Sequence, residues 1–357
     1  MNAVPMNCMQ RTLTALGQRE PDRVPLFLLT AMQGARELGV SIQDYFSRAD
    51  WVAEGQMRLH RKYGGDCLYA FYYASIETEA FGGDTVFIPD GPPNCGAPII
   101  RRFEDIDALQ VPELGQSPGL LRVLQTIDLL KAQAADTVPI VGVAISPFSL
   151  PVMQLGFDSY LELMHEQPDR FQRLMTINQA FTVQWANAQL KAGATAICYF
   201  DPVSSPTIVP RATYLKTGYP AARATLAGIH GPTATHLASG RALPILEDLI
   251  ATGTAVVGVS ALEDLAELKA AAAGRVSLLG NLNGIEMRRW TPAQAEMEVK
   301  RAIAGAGVGG GFLLSDNHGE IPWQVPDEIL FAIAEAARSW GRYPLTWVRD
   351  GADPDAC

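Results

Sequence analysis

Two of the chain's five histidines stand where a short apolar run gives way to a polar turn: His236 in TATHLASG and His318 in FLLSDNHGEIPWQVP. A neutral imidazole ligates a divalent ion such as zinc through one ring nitrogen, and it can also pass a proton near neutral pH. Brought to one cavity, the pair could hold a metal; each taken alone also reads as a hydrogen-bonded core histidine or a loop residue. Asp316, Asn317, His318 and Glu320 lie within five positions, and Pro322 and Pro326 stiffen the chain beyond them. The other reading of this segment is a polar loop capping the next helix, with Asp327 as its first-turn acid. Asp201, in YFDPVSSP beside Ser204 and Ser205, is a candidate general base or metal ligand, or else a cap on its turn. Glu77, in ASIETEAFGG, offers an oxygen ligand, and Tyr73, Ser204, Ser239 and Asn281 offer hydrogen bonds to a substrate. Cys198 reads as a buried thiol, while Cys95, in GPPNCGAP, is a soft ligand on a segment able to swing over the site.

These residues have a common address. Eight apolar runs begin near positions 24, 67, 138, 194, 233, 254, 275 and 310, and most are followed by an amphipathic stretch such as LPILEDLIATG or PAQAEMEVKRAIAGAG. The runs are continuous rather than alternating, as strands buried on both faces must be. Eight such strands, each feeding a helix, make a single (β/α)8 barrel, an α/β fold in which side chains at the C-terminal strand ends carry the chemistry. Every candidate named above except Cys95 lies in or at the end of one of these runs. The stretch from 74 to 120, rich in Gly and Pro, is a long excursion after strand two that reaches over the mouth. A doubly wound sheet would carry a glycine-rich phosphate loop after its first strand, and TAMQGARELG has none. Residues 1–346 form one domain, and 347–357 (WVRDGADPDAC) a loose tail.

Composition narrows the class further. The 357 residues are 48% hydrophobic and 18% charged with a net charge of −10, which gives a large core and no basic surface for nucleic acid or an anionic membrane. The five cysteines show no C-x-x-C spacing. No segment has the apolar length of a membrane span, and the start lacks the pattern of a signal peptide. These features point to a cytoplasmic enzyme with free thiols.

Several blocks together resemble the uroporphyrinogen decarboxylase superfamily: RTLTALGQREPDRVPLF, KYGGDCLYAF, PVMQLGFDSYLELMHEQPDRF, QLKAGATAICYFDPVSSPTIVP, LLGNLNG, and the close VPDEILFAIAEAARSWGRYP. The resemblance runs over about residues 9 to 345 and implies a (β/α)8 barrel. The decarboxylases of that superfamily carry paired arginines after the first strand to bind substrate carboxylates. Here only Arg36 stands in that region, and Glu77 stands near where their central aspartate is expected. The other branch, the cobalamin-linked methyltransferases, implies a zinc site with H-x-C-G after strand five and a cysteine after strand eight. This chain keeps His236 but has Ala238 or Ser239 for the first cysteine, and Asn317 and His318 at the second.

The resemblance therefore implies methyl transfer between a small substrate and a corrinoid. His236 and His318 would hold zinc, and Asp201 or Glu320 would complete the metal shell or handle a proton, with His318 and Asn317 beside the reaction. No Asp-x-His-x-x-Gly carrier motif is present, so a separate corrinoid carrier protein or free cobalamin is implied, and homodimers are common in the superfamily. The alternative is a metal-free decarboxylase or lyase acting on a carboxylated substrate through His318 and Asp201. A non-catalytic tetrapyrrole- or corrinoid-binding protein is a third reading.

Overall fold

The computed structural model describes residues 5–349. Eight parallel strands form one sheet: β1 (Leu26–Phe27), β2 (Leu68–Tyr69), β3 (Ile140–Ile145), β4 (Ala196–Phe200), β5 (Thr233–His236), β6 (Val256–Gly258), β7 (Ser277–Leu282) and β8 (Phe312–Asp316). Their order runs β2, β3, β4, β5, β6, β7, β8, β1, so each strand lies beside its neighbour in sequence and β8 returns to β1. The expected α/β barrel is thus present, with every strand inside its apolar run. All six residues of β3 and of β7 are buried, as the unbroken apolar runs require when both faces are covered.

The ring closes between β1 and β2 by a different device. The Asp66 amide donates to the Leu26 carbonyl at 2.6 Å, and the fully buried Asp66 carboxylate accepts from Arg11, Arg23 and the Leu26 amide at 2.6 to 3.0 Å. Asp22 holds Arg11 from the other side at 2.7 Å. The RTLTALGQREPDRVPLF block is therefore the clasp that joins the first two strands.

Each strand is followed in the chain by one of the helices α1 (Ala49–Tyr63), α2 (Pro118–Ala134), α3 (Pro168–Ala192), α4 (Gly218–Ala227), α5 (Leu246–Ala251), α6 (Leu265–Ala272), α7 (Pro292–Ala306) and α8 (Asp327–Trp340), with further helices such as Phe157–Glu166 between them. Their starts are written locally. The Ser117 side chain accepts from the Leu120 amide with Pro118 at the first helical position, and α2 then buries Leu120, Val123, Ile127 and Leu130 on one face. Thr291 and Gln294 make a reciprocal capping box on α7. The barrel interior is filled by Phe27, Leu29, Tyr69, Val141, Val143, Cys198, Val256, Leu279 and Leu313. Beneath them an apolar cavity of about 90 Å³ lies at the N-terminal ends of the strands, floored by Leu13 and Leu16 of the N-terminal helix Cys8–Leu16.

The excursion after β2 carries two short antiparallel strands, Thr85–Val86 and Asn94–Cys95. Gln324 donates to the Asp90 carbonyl at 2.6 Å, which joins the hairpin to the loop after β8. The tail expected from position 347 begins instead as a helical turn, Thr346–Arg349, in which Trp347 packs on Trp340; residues 350–357 lie outside the described residues. No helix among the described residues is long and apolar enough to cross a membrane.

Candidate active site

His236 closes β5 and His318 follows β8, and both rings contact the turn after β5. Burial holds His236 down at about 4, and the charge of His318 adds to that depression. The turn after β5 links the two rings. The Ala238 amide donates to His236 Nδ1 at 3.1 Å, and Ser239 Oγ lies 2.5 Å from His318 Nδ1. The Ser239 amide donates to the Asn317 carbonyl at 2.8 Å, which fixes the β5 turn against the β8 loop. His236 is 1% exposed and its ring stacks on Phe200, with centroids 5.3 Å apart and planes 9° apart. Desolvation also pulls the half-buried His318 below its ordinary value. Both rings are neutral at neutral pH.

Two carboxyls lie on the same loop as His318. Asp316 Oδ2 accepts the amides of His318 and Gly319 at 2.8 Å each, while its buried Oδ1 has no partner among the described residues. Burial pushes the Asp316 carboxyl up to about 6. Burial and the neighbouring Asp316 charge push Glu320 up to about 8, and its Oε1 is likewise buried and unpartnered among the described residues. Glu320 is thus protonated at neutral pH and able to give a proton. Tyr69 on β2 donates to the Gly319 carbonyl at 2.7 Å and anchors the loop from below.

Several residues expected at the site are held elsewhere. Asp201 is fully buried, and its carboxylate accepts Ser146 at 2.5 Å, Ser149 at 2.8 Å and Ser204 at 2.5 Å. It ties the end of β4 to the end of β3, and Ser204 gives its hydroxyl proton to the same carboxylate. Glu77 Oε1 accepts the Ile145 amide at 2.9 Å, and burial raises that carboxyl to about 8; it braces the C-terminal end of β3. Tyr73 donates to Glu79 at 3.1 Å, with its ring against Phe46 and Phe87. Asn281 donates to the Ser260 carbonyl at 2.8 Å, and Asn317 Oδ1 accepts the Gly284 amide at 3.2 Å, so both amides brace loops. Cys95 sits on the hairpin with its sulfur 3.6 Å from Thr78 Oγ1. Arg36 stacks on Trp323 and bonds the Trp323 and Val325 carbonyls and Asp327, so it clamps the loop after β8.

Zinc needs three protein ligands at least, four in a closed site. Among the described residues no three His, Cys, Asp or Glu side chains come together in a way that could hold a metal ion. His236 and His318 do not by themselves fit a zinc site, and of the two expected further ligands, Asp201 is committed to serines while Glu320 forms no such cluster with the histidines among the described residues.

Residues that no sequence motif singles out complete the setting. Gly258 on β6 faces the His236 ring, and a Cβ there would stand 2.4 Å from Cδ2. Gly319, with φ of 86°, lies over Phe200 and His236. Phe200, Tyr69 and both glycines belong to the site, and only their positions at strand ends could have signalled it.

Residues 7–340 match the family model described as Uroporphyrinogen decarboxylase (URO-D). A uroporphyrinogen decarboxylase of Mycobacterium ulcerans is 29% identical over 343 residues, covering 88% of this chain and 93% of the relative. One from Idiomarina loihiensis is 25% identical over 353 residues, covering 92% and 95%. Among solved structures, a methyltransferase from Methanosarcina mazei superposes with a TM-score of 0.83 at 21% identity, covering 93% of this chain and 98% of the other. A B12-independent methionine synthase from Shewanella sp. gives 0.51 at 14% identity, covering 90% and 95%. At these identities the structural likeness is one of fold.

Proposed function

Because the chain belongs to the uroporphyrinogen decarboxylase family, we propose that it is an enzyme of that family which moves a methyl group between a small neutral or cationic substrate and a corrinoid brought by a separate carrier. The observation that carries this reading is electrostatic. Neither Glu320, His236 nor His318 is shifted by any arginine or lysine, and Arg36 is spent on the β8 loop. A substrate with several carboxylates would meet the His236 and His318 imidazoles and the Asp316 and Glu320 carboxyls there, with no arginine or lysine bonded to them among the described residues to offset its desolvation. This argues against the multi-anionic porphyrinogen implied by the names of the sequence relatives. The methyltransferase likeness at TM-score 0.83 lends support from the fold.

When present, the corrinoid supplies a cobalt centre that accepts or delivers methyl. The chain's own residues do the rest. His236 and His318 border the reacting heteroatom without carrying charge. Glu320 holds a proton at neutral pH and gives it to a heteroatom that gains electron density as its methyl leaves. Phe200, Tyr69 and the apolar interior keep water from the site. The metal-free decarboxylase is the second reading, supported by the uroporphyrinogen decarboxylase names of the sequence relatives.

The test is spectroscopic. Purified protein is mixed with reduced cobalamin and a panel of O-, N- and S-methyl compounds, and the methyl–cobalt absorbance is followed. Growth of that band, lost in His236→Ala, supports the reading. Carbon dioxide release from a carboxylated substrate with an unchanged cobalt spectrum refutes it.

A further inference from the structure

The 3.1 Å contact between the Ala238 amide and His236 Nδ1 settles where the imidazole proton lies. A backbone amide has a proton to give and no lone pair to offer, so the ring nitrogen facing it accepts. In a neutral ring the one remaining proton is then on Nε2. That Nε2 is buried and has no partner among the described residues. Buried donors are nearly always satisfied, so an orphaned one at the end of a barrel strand calls for an acceptor that arrives with a ligand.

The ring is held so that it cannot turn away. Phe200 covers one face. A Cβ at Gly258 would stand 2.8 Å from Cγ and 2.9 Å from Nε2, and one at Gly319 would stand 3.2 Å from Cε1, so both glycine backbones press on its edge. The amide that reads Nδ1 is itself aimed by an uncommon turn. Ala238 and Ser239 take φ of 44° and 67°, a left-handed pair of L-residues. Ser239 is anchored by its amide on Asn317, by its carbonyl under Ser260 Oγ at 2.8 Å, and by its hydroxyl at His318. A histidine bound to zinc shows the reverse polarity: its second nitrogen donates to a carboxylate or carbonyl, which leaves a lone pair for the metal.

We propose that His236 is a neutral hydrogen-bond donor, through Nε2–H, to a lone pair on the substrate heteroatom, and that the left-handed Ala238–Ser239 turn fixes it in that tautomer in place of a metal-binding one. The role assigned to the acceptor rests on the methyl-transfer reading above; the tautomer does not. The substrates singled out are those whose reacting oxygen, nitrogen or sulfur keeps a lone pair in the bound state. A quaternary ammonium as methyl donor is disfavoured.

The experiment uses the full-length protein labelled with 15N-histidine. The His236 signals, assigned by their absence in His236→Asn, show an unprotonated Nδ1 and a protonated Nε2, and they do not move on titration with zinc chloride. A protonated Nδ1, or a stoichiometric zinc-induced shift of Nε2, overturns the proposal. In steady-state assays His236→Asn, which can still accept the Ala238 amide but lacks the donor, loses about 10²-fold in kcat. His236→Gln, whose amide nitrogen can reach the Nε2 position, recovers part of that loss. Equal loss in both variants overturns the donor role. Methyl transfer by a protein with the opposite tautomer would sink this proposal alone. The stated tautomer in a protein that transfers no methyl would sink only the functional reading.

Discussion

Gly258→Ala puts one methyl group where the site has no room for it. The new Cβ would lie 2.4 Å from His236 Cδ2, 2.8 Å from Cγ and 2.9 Å from Nε2. A comfortable carbon–carbon contact is about 3.5 Å, so the ring must retreat by roughly 1 Å. Phe200 blocks that retreat on one face, and the Ala238 amide holds Nδ1. Overpacking of this kind costs about 1–3 kcal/mol of stability. Displacing a positioned group by ~1 Å costs on the order of 10²-fold in rate. The assay pairs urea denaturation with kcat/KM for methyl transfer. Gly115→Ala, where a Cβ meets nothing within 4 Å, serves as the control. A Gly258→Ala enzyme that turns over like wild type, with its His236 visibly displaced, would refute the claim that this ring acts on the substrate.

Other perturbations separate scaffold from chemistry. Asp66→Asn breaks the clasp with Arg11 and Arg23 and should cost on the order of 3–5 kcal/mol in chemical denaturation, with activity of the folded fraction retained. Asp201→Asn disturbs three serine hydroxyls and lowers stability by about 1–3 kcal/mol; a loss confined to kcat, with stability untouched, would restore Asp201 as a catalytic group. Glu77 is raised from an ordinary 4.5 to about 8 in the fold. Between those values the unfolded chain has released a proton that the folded chain keeps, so this contribution to stability is full below pH ~4.5 and lost as pH climbs to about 8. Thermal melts of wild type against Glu77→Gln across that range should show the wild-type advantage shrinking with pH, and a growing advantage would contradict the burial argument. Activity should fall on the alkaline side as Glu320 ionises near 8, and Glu320→Gln, with no proton to lose, should show a low rate without that limb.

The barrel was legible because its physics is local and repeated. Runs such as VPIVGVAI and RVSLLGN have no polar side to offer solvent, and eight of them separated by helical stretches leave few other architectures. The placing of His236 and His318 at the C-terminal ends of strands of one sheet followed from the same arithmetic. What the sequence concealed were partnerships across the chain. Asp201 looked free to act because Ser146 and Ser149 belong to another strand end, and their hydroxyls reach it only in the closed barrel. Glu77 looked like a ligand because nothing in ASIETEAFGG reveals the Ile145 amide waiting for it. Arg36 lay near the place where the resemblance puts substrate-binding arginines, yet the loop carbonyls at Trp323 and Val325 take it. The zinc expectation met a complementary limit. A histidine's position says nothing about which nitrogen is free, and that depends on an amide two residues on.

The most direct measurement tracks one labelled carbon. A panel of heteroatom-methyl compounds carrying 13C in the methyl group, and of carboxylates carrying 13C in the carboxyl group, is incubated with the enzyme and reduced cobalamin, and the products are read by NMR. The account predicts label on cobalt from at least one methyl compound and none released from any carboxylate. Labelled carbon dioxide from a carboxylate, with no labelled methylcobalamin from any donor, would contradict it.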